Sequence, residues 1–231
     1  MVDFTGGTWR SLIDGSEVSA IPDRVVDNFE DDDSDPAGPY EDGEDITDYY
    51  GGATAGFART TDNAVEGDKS LNGNQAESNE FIISEPNDGL PNYPDFGDTI
   101  SFLIEDRGDI SLPGAVYNGA LGTDDTGYAA VIDSRDEIAI RRLDGQGNIT
   151  VIASTSQTIN ENQVYYGEVD IPSENGDSHE FRIYNVDGLE PDNLLATVTA
   201  TDDTHTDQSG IGWYAGSSSD HDTRMDRMRI E

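Results

Sequence analysis

The last third of the chain is a succession of short runs rich in β-branched and aromatic residues, and this pattern restricts the chain to an all-β fold. Each run is bounded by Gly, Asp, Asn or Ser, which favour turns. In the final run, Met225, Arg227 and Arg229 alternate with Asp226, Met228 and Ile230. One face of the run is therefore mostly charged and the other mostly apolar. The runs are residues 164–171, 180–184, 194–199, 211–216 and 224–230.

The first half of the chain carries the same signal. Its strongest strand pattern covers residues 99–105, and the Asp-Gly pair at 144–145 predicts a hairpin between runs 137–143 and 149–153. No segment of ten or more residues keeps a helical period with caps, so little helix is expected. We therefore predict two stacked antiparallel sheets, with residues 27–231 as one sandwich domain.

Acidic residues dominate the composition. Asp and Glu number 49 against 12 Lys and Arg, which gives a formal net charge of −37, and Lys69 is the only lysine. Such a charge often accompanies disorder, but here the apolar residues fall in periodic runs. We interpret the charge as adaptation to molar salt, where a Debye length of about 3 Å screens the repulsion and an acidic surface keeps the protein hydrated.

The composition also argues against several classes of function. A dense acidic surface repels phosphate, so no nucleic-acid partner is expected. The chain has no cysteine, and therefore no disulfide, thiolate metal site or cysteine nucleophile. No apolar run approaches about 18 residues, so no membrane span is predicted. The N-terminus lacks the pattern of a secretory signal, so a surface role would need another route, such as assembly into a virion released by lysis.

Residues 1–26 form a segment distinct from the domain, because they carry large apolar side chains but are too few to bury them alone. In one interpretation this arm packs back on its own domain. In the other it anchors the chain to a neighbouring subunit, since exposed Trp and Leu side chains favour interfaces. We also expect the protein to form a homo-oligomer. The anchor residues would be Phe4, Trp9, Leu12 and Ile13.

Four short motifs occur here in the order in which jelly-roll modules carry them. They are DNFED at 27–31, EGDKSL at 66–71, IGWYAG at 211–216 and MDRMRI at 225–230. From about residue 24 to residue 231 the chain resembles concanavalin A-like and laminin-G-like (LamG-like) domains. The resemblance implies an all-β, two-sheet antiparallel jelly-roll sandwich with an extended N-terminal arm.

The opening segment carries a second resemblance. Its sequence GTWRSLIDGS, at 7–16, looks like the leaders of structural proteins of haloarchaeal tailed viruses, where the leader precedes a laminin-G-like domain. This implies a virion surface component: a head turret or decoration, or a tail fibre or baseplate protein.

The jelly-roll resemblance also implies a calcium ion that ties the first strand to the last. Its ligands here would be Asp27, Glu30 and Asp226, with Asp68. Calcium needs roughly six to eight oxygen ligands at about 2.4 Å. Asp226 lies on the apolar-leaning face of the last strand, so it needs a partner or an ion. The alternative is a set of solvated or hydrogen-bonded carboxylates.

The residues that two kinds of catalysis require are missing. Laminarinase-type relatives carry Glu-x-Asp-x-Glu on a strand, but here Glu168 and Asp170 are followed by Pro172 at the third position, so the acid/base partner is absent. No Gly-x-Ser-x-Gly elbow occurs, and the three histidines fall in polar segments expected to be loops. We therefore expect no catalytic residues, and interpret Glu168 and Asp170 as the polar face of a strand.

Sugar binding requires exposed aromatic rings that stack on pyranose faces, with polar groups nearby that bond hydroxyls. Tyr93, Phe96, Tyr117 and Tyr128 lie in or beside predicted loops and are the candidates. Trp213 lies in a patterned strand and is expected in the core.

Together these features predict a non-enzymatic virion structural protein on the virion surface, extracellular and in high salt. The N-terminal segment would bind other virion proteins. The jelly roll would contact a host-surface glycan or glycoprotein, with multivalent display raising weak affinities, or would stabilise the particle. The alternative is a secreted or cell-surface carbohydrate-binding module of a halophilic archaeon. A degenerate glycosidase is disfavoured by Pro172.

We expect the protein to unfold or lose packing below about 0.5 M salt, because repulsion between surface carboxylates returns as the Debye length grows. Circular dichroism during a salt titration measures this. A spectrum that stays unchanged down to low ionic strength would reject the halophilic interpretation.

Overall fold

The computed structural model is built almost entirely from β-strands, as the sequence predicts. It describes residues 2–5, 8–11, 17–19, 24–29, 45–61, 64–65, 69–73, 79–86, 88–107, 112–133, 135–172, 178–216 and 223–231. Within these ranges the helices are two single turns of 3-10 type, Ile46–Asp48 and Thr54–Gly56. No helix in the described ranges is long and apolar enough to cross a membrane.

Eighteen strands are described, and all of their pairings are antiparallel. The strands are β1 (Val2–Thr5), β2 (Thr8–Ser11), β3 (Glu17–Ser19), β4 (Arg24–Asp27), β5 (Gly51–Gly52), β6 (Ala58–Thr60), β7 (Ser70–Asn72), β8 (Glu80–Ser84), β9 (Thr99–Asp106), β10 (Leu112–Ala120), β11 (Thr126–Asp133), β12 (Glu137–Asp144), β13 (Ile149–Ser156), β14 (Gln163–Asp170), β15 (Ser178–Asp187), β16 (Glu190–Thr201), β17 (Gly210–Gly216) and β18 (Thr223–Ile230).

Two large sheets form the sandwich. The first sheet has the order β13-β12-β11-β10-β17-β8-β5. The second has the order β16-β15-β14-β9-β18-β7-β6, and β4 also pairs with β18. The predicted hairpin at 144–145 joins β12 to β13. The first and last strands of the domain, β4 and β18, are therefore neighbours in one sheet, as the jelly-roll resemblance implies.

The N-terminal segment forms a separate three-stranded sheet, β1-β2-β3. Phe4 and Trp9 are Cα partners across β1 and β2. Leu12 and Ile13 lie outside the described residues. The anchor therefore stays a prediction.

The hydrophobic core lies between the two large sheets. Trp213 of β17 is fully buried there, as expected. Its ring centroid is 5.6 Å from that of Phe29 and 6.3 Å from that of Phe102 in β9. Side chains of both sheets thus meet at Trp213, because alternate residues of each strand point to the same face.

The outer face of the first sheet is also apolar and buried. Its side chains include Phe81, Val116, Val131, Leu143 and Tyr214. Strands that are covered on both faces read as continuous apolar runs rather than as alternating ones. An accessible binding surface must therefore be sought at the ends of the sandwich or on the outer face of the second sheet.

The last strand departs from the strict alternation that the sequence predicts. The register of β18 against β9 shifts between Asp226 and Arg229, and Arg227 has a φ of 53°. A bulge adds one residue to the strand, so the residues beyond it face the opposite side of the sheet. Met225, Met228 and Ile230 consequently all enter the core, and the predicted charged face at 225, 227 and 229 was wrong.

Replacing Trp213 by alanine should lower the free energy of unfolding by about 3–5 kcal/mol, because the truncation leaves a large cavity between the sheets. Urea denaturation at constant molar salt measures the loss. As a control, Leu194→Ala changes a side chain that is 54% exposed and should cost no more than about 0.5 kcal/mol. Equal losses in the two variants would contradict a core centred on Trp213.

Candidate ligand-binding cleft

A small cleft with an enclosed volume of about 50 Å³ opens at the end of the sandwich where β9 begins and β14 ends. Four segments form it: the β8–β9 loop, β10, the residue after β14, and the residues before β17. The side chains that line it are mixed polar and apolar, which is typical of small-ligand sites. They are Pro94, Asp95, Phe96, Asn118, Ile171, Gln208 and Ser209.

Phe96 presents an exposed aromatic ring at the cleft, with 49% of the residue accessible to solvent. A tight turn holds it: Asp95 N–H donates to the Asp98 carboxylate at 2.9 Å, and Gly97 N–H donates to the carbonyl of Ile171 at 3.1 Å. Gly97 has a φ of 88°, a conformation that glycine adopts without strain. The ring is thus exposed on a backbone that hydrogen bonds hold in place.

Asn118 lies at a break in β10. The register of β10 shifts against β11 between Tyr117 and Ala120, and against β17 between Val116 and Gly119. Asn118 itself has a φ of 46°, a left-handed conformation that asparagine tolerates better than most residues. The residue is only 2% exposed, and its amide nitrogen has no hydrogen-bond acceptor in the described part of the chain. Buried amides are rarely left unpaired.

Gln208 and Ser209 complete the cleft from the β16–β17 loop. The hydroxyl of Thr126 donates to the Gln208 side-chain oxygen at 3.2 Å, which orients that amide. Among the described residues, Asp95 is the one charged side chain that lines the cleft, and no Lys or Arg does so. The lining therefore offers amide and hydroxyl groups beside an aromatic ring, with a single negative charge.

A buried polar network joins the two sheets behind this end of the sandwich. His179 of β15 is fully buried. Its Nε2 lies 2.7 Å from the carbonyl of Asp202, and its Nδ1 lies 3.1 Å from the Tyr117 hydroxyl. Because a carbonyl only accepts, Nε2 carries the proton and Nδ1 accepts from Tyr117. The ring also packs on Tyr128 of β11, with centroids 4.3 Å apart.

Asp202, which follows β16, is the anionic centre of the network. It accepts from the Tyr128 hydroxyl at 2.7 Å, from the backbone of Thr204 at 3.0 Å and from Arg142 at 2.9 Å. Burial disfavours its charge, but these hydrogen bonds outweigh that effect and hold the pKa of Asp202 well below its ordinary value. The same bonds fix the start of the loop that carries Gln208.

Burial has the opposite consequence for His179. It lowers the pKa of this imidazole below 6.5, and the hydrogen bond to the Asp202 carbonyl only partly offsets the effect. The hydroxyl of Tyr117 is buried as well, which raises its pKa. Both side chains are therefore neutral near pH 7.

The four predicted sugar-binding residues divide into three groups. Phe96 lines the cleft and is exposed. Tyr93 is half-buried and packs against the core, and its hydroxyl oxygen lies 2.7 Å from that of Ser84. Tyr117 and Tyr128 lie within β10 and β11 and are fully buried. The prediction of exposed rings at Tyr117 and Tyr128 was wrong, because both face the inter-sheet core, where they stack on each other and pack at a tilt against His179.

The histidine prediction was also wrong for one residue. His179 was expected in a polar loop but lies in β15, in the core-facing network. His205 does lie in a loop, where its Nε2 is 3.1 Å from Asp144. His221 lies outside the described residues.

Protein donors satisfy the two predicted calcium ligands that the structure describes. Asp27 accepts from the Tyr50 hydroxyl at 2.6 Å, and Asp226 accepts from the Ser70 hydroxyl at 2.7 Å. Glu30 and Asp68 lie outside the described residues, and no cluster of three or more His, Asp or Glu side chains suited to a metal occurs among the residues described. The described donors alone do not supply a calcium site, so calcium stays a prediction.

The carboxylates of β14 form a salt-bridge network rather than a catalytic pair. Arg182 of β15 contacts Glu168 at 3.0 Å, Asp170 at 2.7 Å and Glu180 at 2.6 Å. Burial alone would raise the pKa of Asp170, but hydrogen bonds from Arg182 and Thr99 outweigh it, so the pKa is lowered. A glycosidase acid needs a raised pKa. These residues are the polar face of a strand, as the sequence indicates.

The polar residues of the cleft do not stand out in the sequence. Asn118 and Gln208 are two of many Asn and Gln residues in turn-like surroundings. The Asn-Gly pair at 118–119 was the available signal, because this pair marks turns and bulges. The pair lies within a run that has a strong strand pattern, and this pattern predicts a regular strand there.

Comparison with solved structures confirms the jelly-roll sandwich. The chain is similar to the carbohydrate-binding module CBM66 of Bacillus subtilis, with a TM-score of 0.51 and 17% identity over 76% of this chain and 95% of that chain. Weaker similarity extends to a Bacillus subtilis protein of unknown function with a galectin-like fold, with a TM-score of 0.45 and 12% identity over 79% and 87% of the two chains. Lectin I-B4 of Griffonia simplicifolia, in a metal-free form, has a TM-score of 0.44 and 9% identity over 78% and 94%. No protein-family model and no curated protein matches the sequence.

Lowering the pH below about 6.5 should destabilise the protein, because His179 has a lower pKa in the folded chain than in the unfolded chain. The unfolded chain therefore binds a proton at His179 at a pH where the folded chain does not. The stability contributed by neutral His179 is fully present above that pH. It is lost as the pH falls toward the lowered pKa of the folded state. His179→Gln should flatten this part of the pH profile, measured by urea denaturation at constant molar salt.

His205→Gln is the matched control, since His205 lies in the neighbouring loop and is less buried. The acid slope of this variant should remain steeper than that of His179→Gln. A His179→Gln profile that runs parallel to that of the parent would show that His179 does not cause the slope.

Proposed function

We propose that this protein is a non-enzymatic glycan-binding protein whose ligand occupies the cleft at the end of the sandwich. One observation carries the proposal: an exposed aromatic ring, Phe96, and a buried amide without an acceptor among the described residues, Asn118, line the same cleft. Sugars present apolar ring faces and many hydroxyl groups, so a protein site for them combines aromatic surface with polar groups.

Two further observations support this proposal. CBM66 of Bacillus subtilis, whose fold this chain shares, is named as a carbohydrate-binding module. The described lining residues include one carboxylate, Asp95, whereas most glycosidases act with two. The other carboxylate candidates, Glu168 and Asp170, are bound to Arg182. The cleft is thus suited to holding a sugar, and its described lining lacks the pair of acids that would cleave one.

We propose the virion surface as the setting, with the protein attached to other virion proteins through its N-terminal segment and binding a host-surface glycan or glycoprotein. The support is the leader-like sequence at 7–16 and the net charge of −37, which suits a high-salt environment. Display of several copies in a homo-oligomer would strengthen weak contacts.

The second candidate setting is a secreted or cell-surface carbohydrate-binding module of a halophilic archaeon. The similarity to CBM66, which covers 95% of that module, favours it. In both settings the cleft binds a glycan. The settings differ in whether the N-terminal segment is attached to other virion proteins.

A glycan array probed in molar salt tests the binding function. Phe96→Ala should reduce the array signal about fivefold, because loss of a stacking ring costs on the order of 1 kcal/mol. Leu194→Ala removes a similarly exposed apolar side chain outside the cleft and should keep the signal. An array with no bound glycan, or equal losses in the two variants, would overturn the proposal.

Antibody labelling of purified particles from a halophilic host culture distinguishes the settings. Label on virions supports the virion protein. Label on host cells or in the medium, with none on virions, supports the secreted module.

A further inference from the structure

We infer that the cleft binds a single uncharged sugar unit at the end of a glycan and rejects acidic sugars. This inference rests on the proposed glycan-binding function and adds the ligand class to it. The size of the cleft, an unpaired amide and the local charge each support it.

The volume of the cleft limits the ligand to one ring. Sites for drug-sized ligands span about 300–1,000 Å³, whereas this cleft encloses about 50 Å³, and its open mouth accounts for most of the 260 Å³ of empty space around it. It is bounded by Pro94 and Phe96 on one side and by Gln208 and Ser209 of a different loop. A compact pocket between loops suits the end of a glycan chain, whereas a long chain that binds through its interior needs an extended groove.

Asn118 provides the polar contact that would orient such a ring. Its amide nitrogen is buried and without an acceptor among the described residues. Asn118 lines the cleft, and the terminal torsion of asparagine is soft, so sugar binding requires that the amide turn until its nitrogen faces the cleft. A sugar hydroxyl or ring oxygen would then supply the missing acceptor. The double register shift of β10 is what puts an amide there, between two core strands.

The charge of the lining excludes an acidic sugar. Asp95 lines the cleft, and no basic side chain in the described part of the chain does. Arg142 and Arg182, which lie at this end of the sandwich, already contact two and three carboxylates. Molar salt screens charges that are more than about 3 Å apart in water, but it does not remove the cost of burying a ligand carboxylate beside another one without a partner.

Saturation-transfer NMR in molar salt tests this inference with methyl glycosides of neutral hexoses and with methyl glucuronide. The parent protein should show transfer to at least one neutral glycoside and none to the glucuronide. Asn118→Gly should weaken neutral binding about tenfold, because it removes the donor while glycine still adopts the positive φ. Asp95→Asn is the matched charge variant and should gain glucuronide binding.

The possible outcomes separate the two proposals. Glucuronide bound by the parent protein as well as the neutral glycosides would overturn the charge argument and leave glycan binding intact. A trisaccharide bound far more tightly than its terminal unit would overturn the single-ring argument in the same way. Transfer to no sugar, with the far-ultraviolet spectrum unchanged, would overturn both proposals. Urea midpoints of the two variants establish that each is folded.

Discussion

The change of register in β10 at Asn118 determines how this end of the sandwich is built. A regular strand would continue to alternate, and the residue after Tyr117 would then face the buried outer side of the first sheet. Instead β10 shifts against both of its neighbours. Tyr117 stays in the inter-sheet core, and Asn118 reaches the end of the sandwich, where loops from both sheets converge.

Two polar sites at this end of the fold differ in whether their buried hydrogen-bonding groups are paired. In the network of His179, Asp202, Tyr128 and Arg142, donors meet acceptors, and the lowered pKa values keep the imidazole neutral and the carboxylate charged. Such a network holds the β16–β17 loop to the two sheets. At Asn118 a buried donor is left unpaired by the described residues. A fully hydrogen-bonded network next to a buried amide that lacks an acceptor is the arrangement expected where a ligand supplies the missing acceptor.

The strands could be predicted from the sequence because alternation and turn residues are local signals. Most of the predicted strands appear, and so does the hairpin at 144–145. Of the cleft, Phe96 could be predicted, since it lies in a loop rich in Pro and Gly. Asn118 and the burial of Tyr117 and Tyr128 could not, because the bulge also depends on pairing with β17, which is distant in sequence. The same reason explains the wrong facing of the last strand, where Arg227 adds a residue.

A crystal structure of the protein soaked in a neutral methyl hexoside at molar salt is the sharpest test of the cleft as a sugar site. We predict one sugar ring stacked on Phe96, with an oxygen atom about 3 Å from the side-chain nitrogen of Asn118. A sugar bound on the outer face of the second sheet, with the cleft empty, would contradict this prediction.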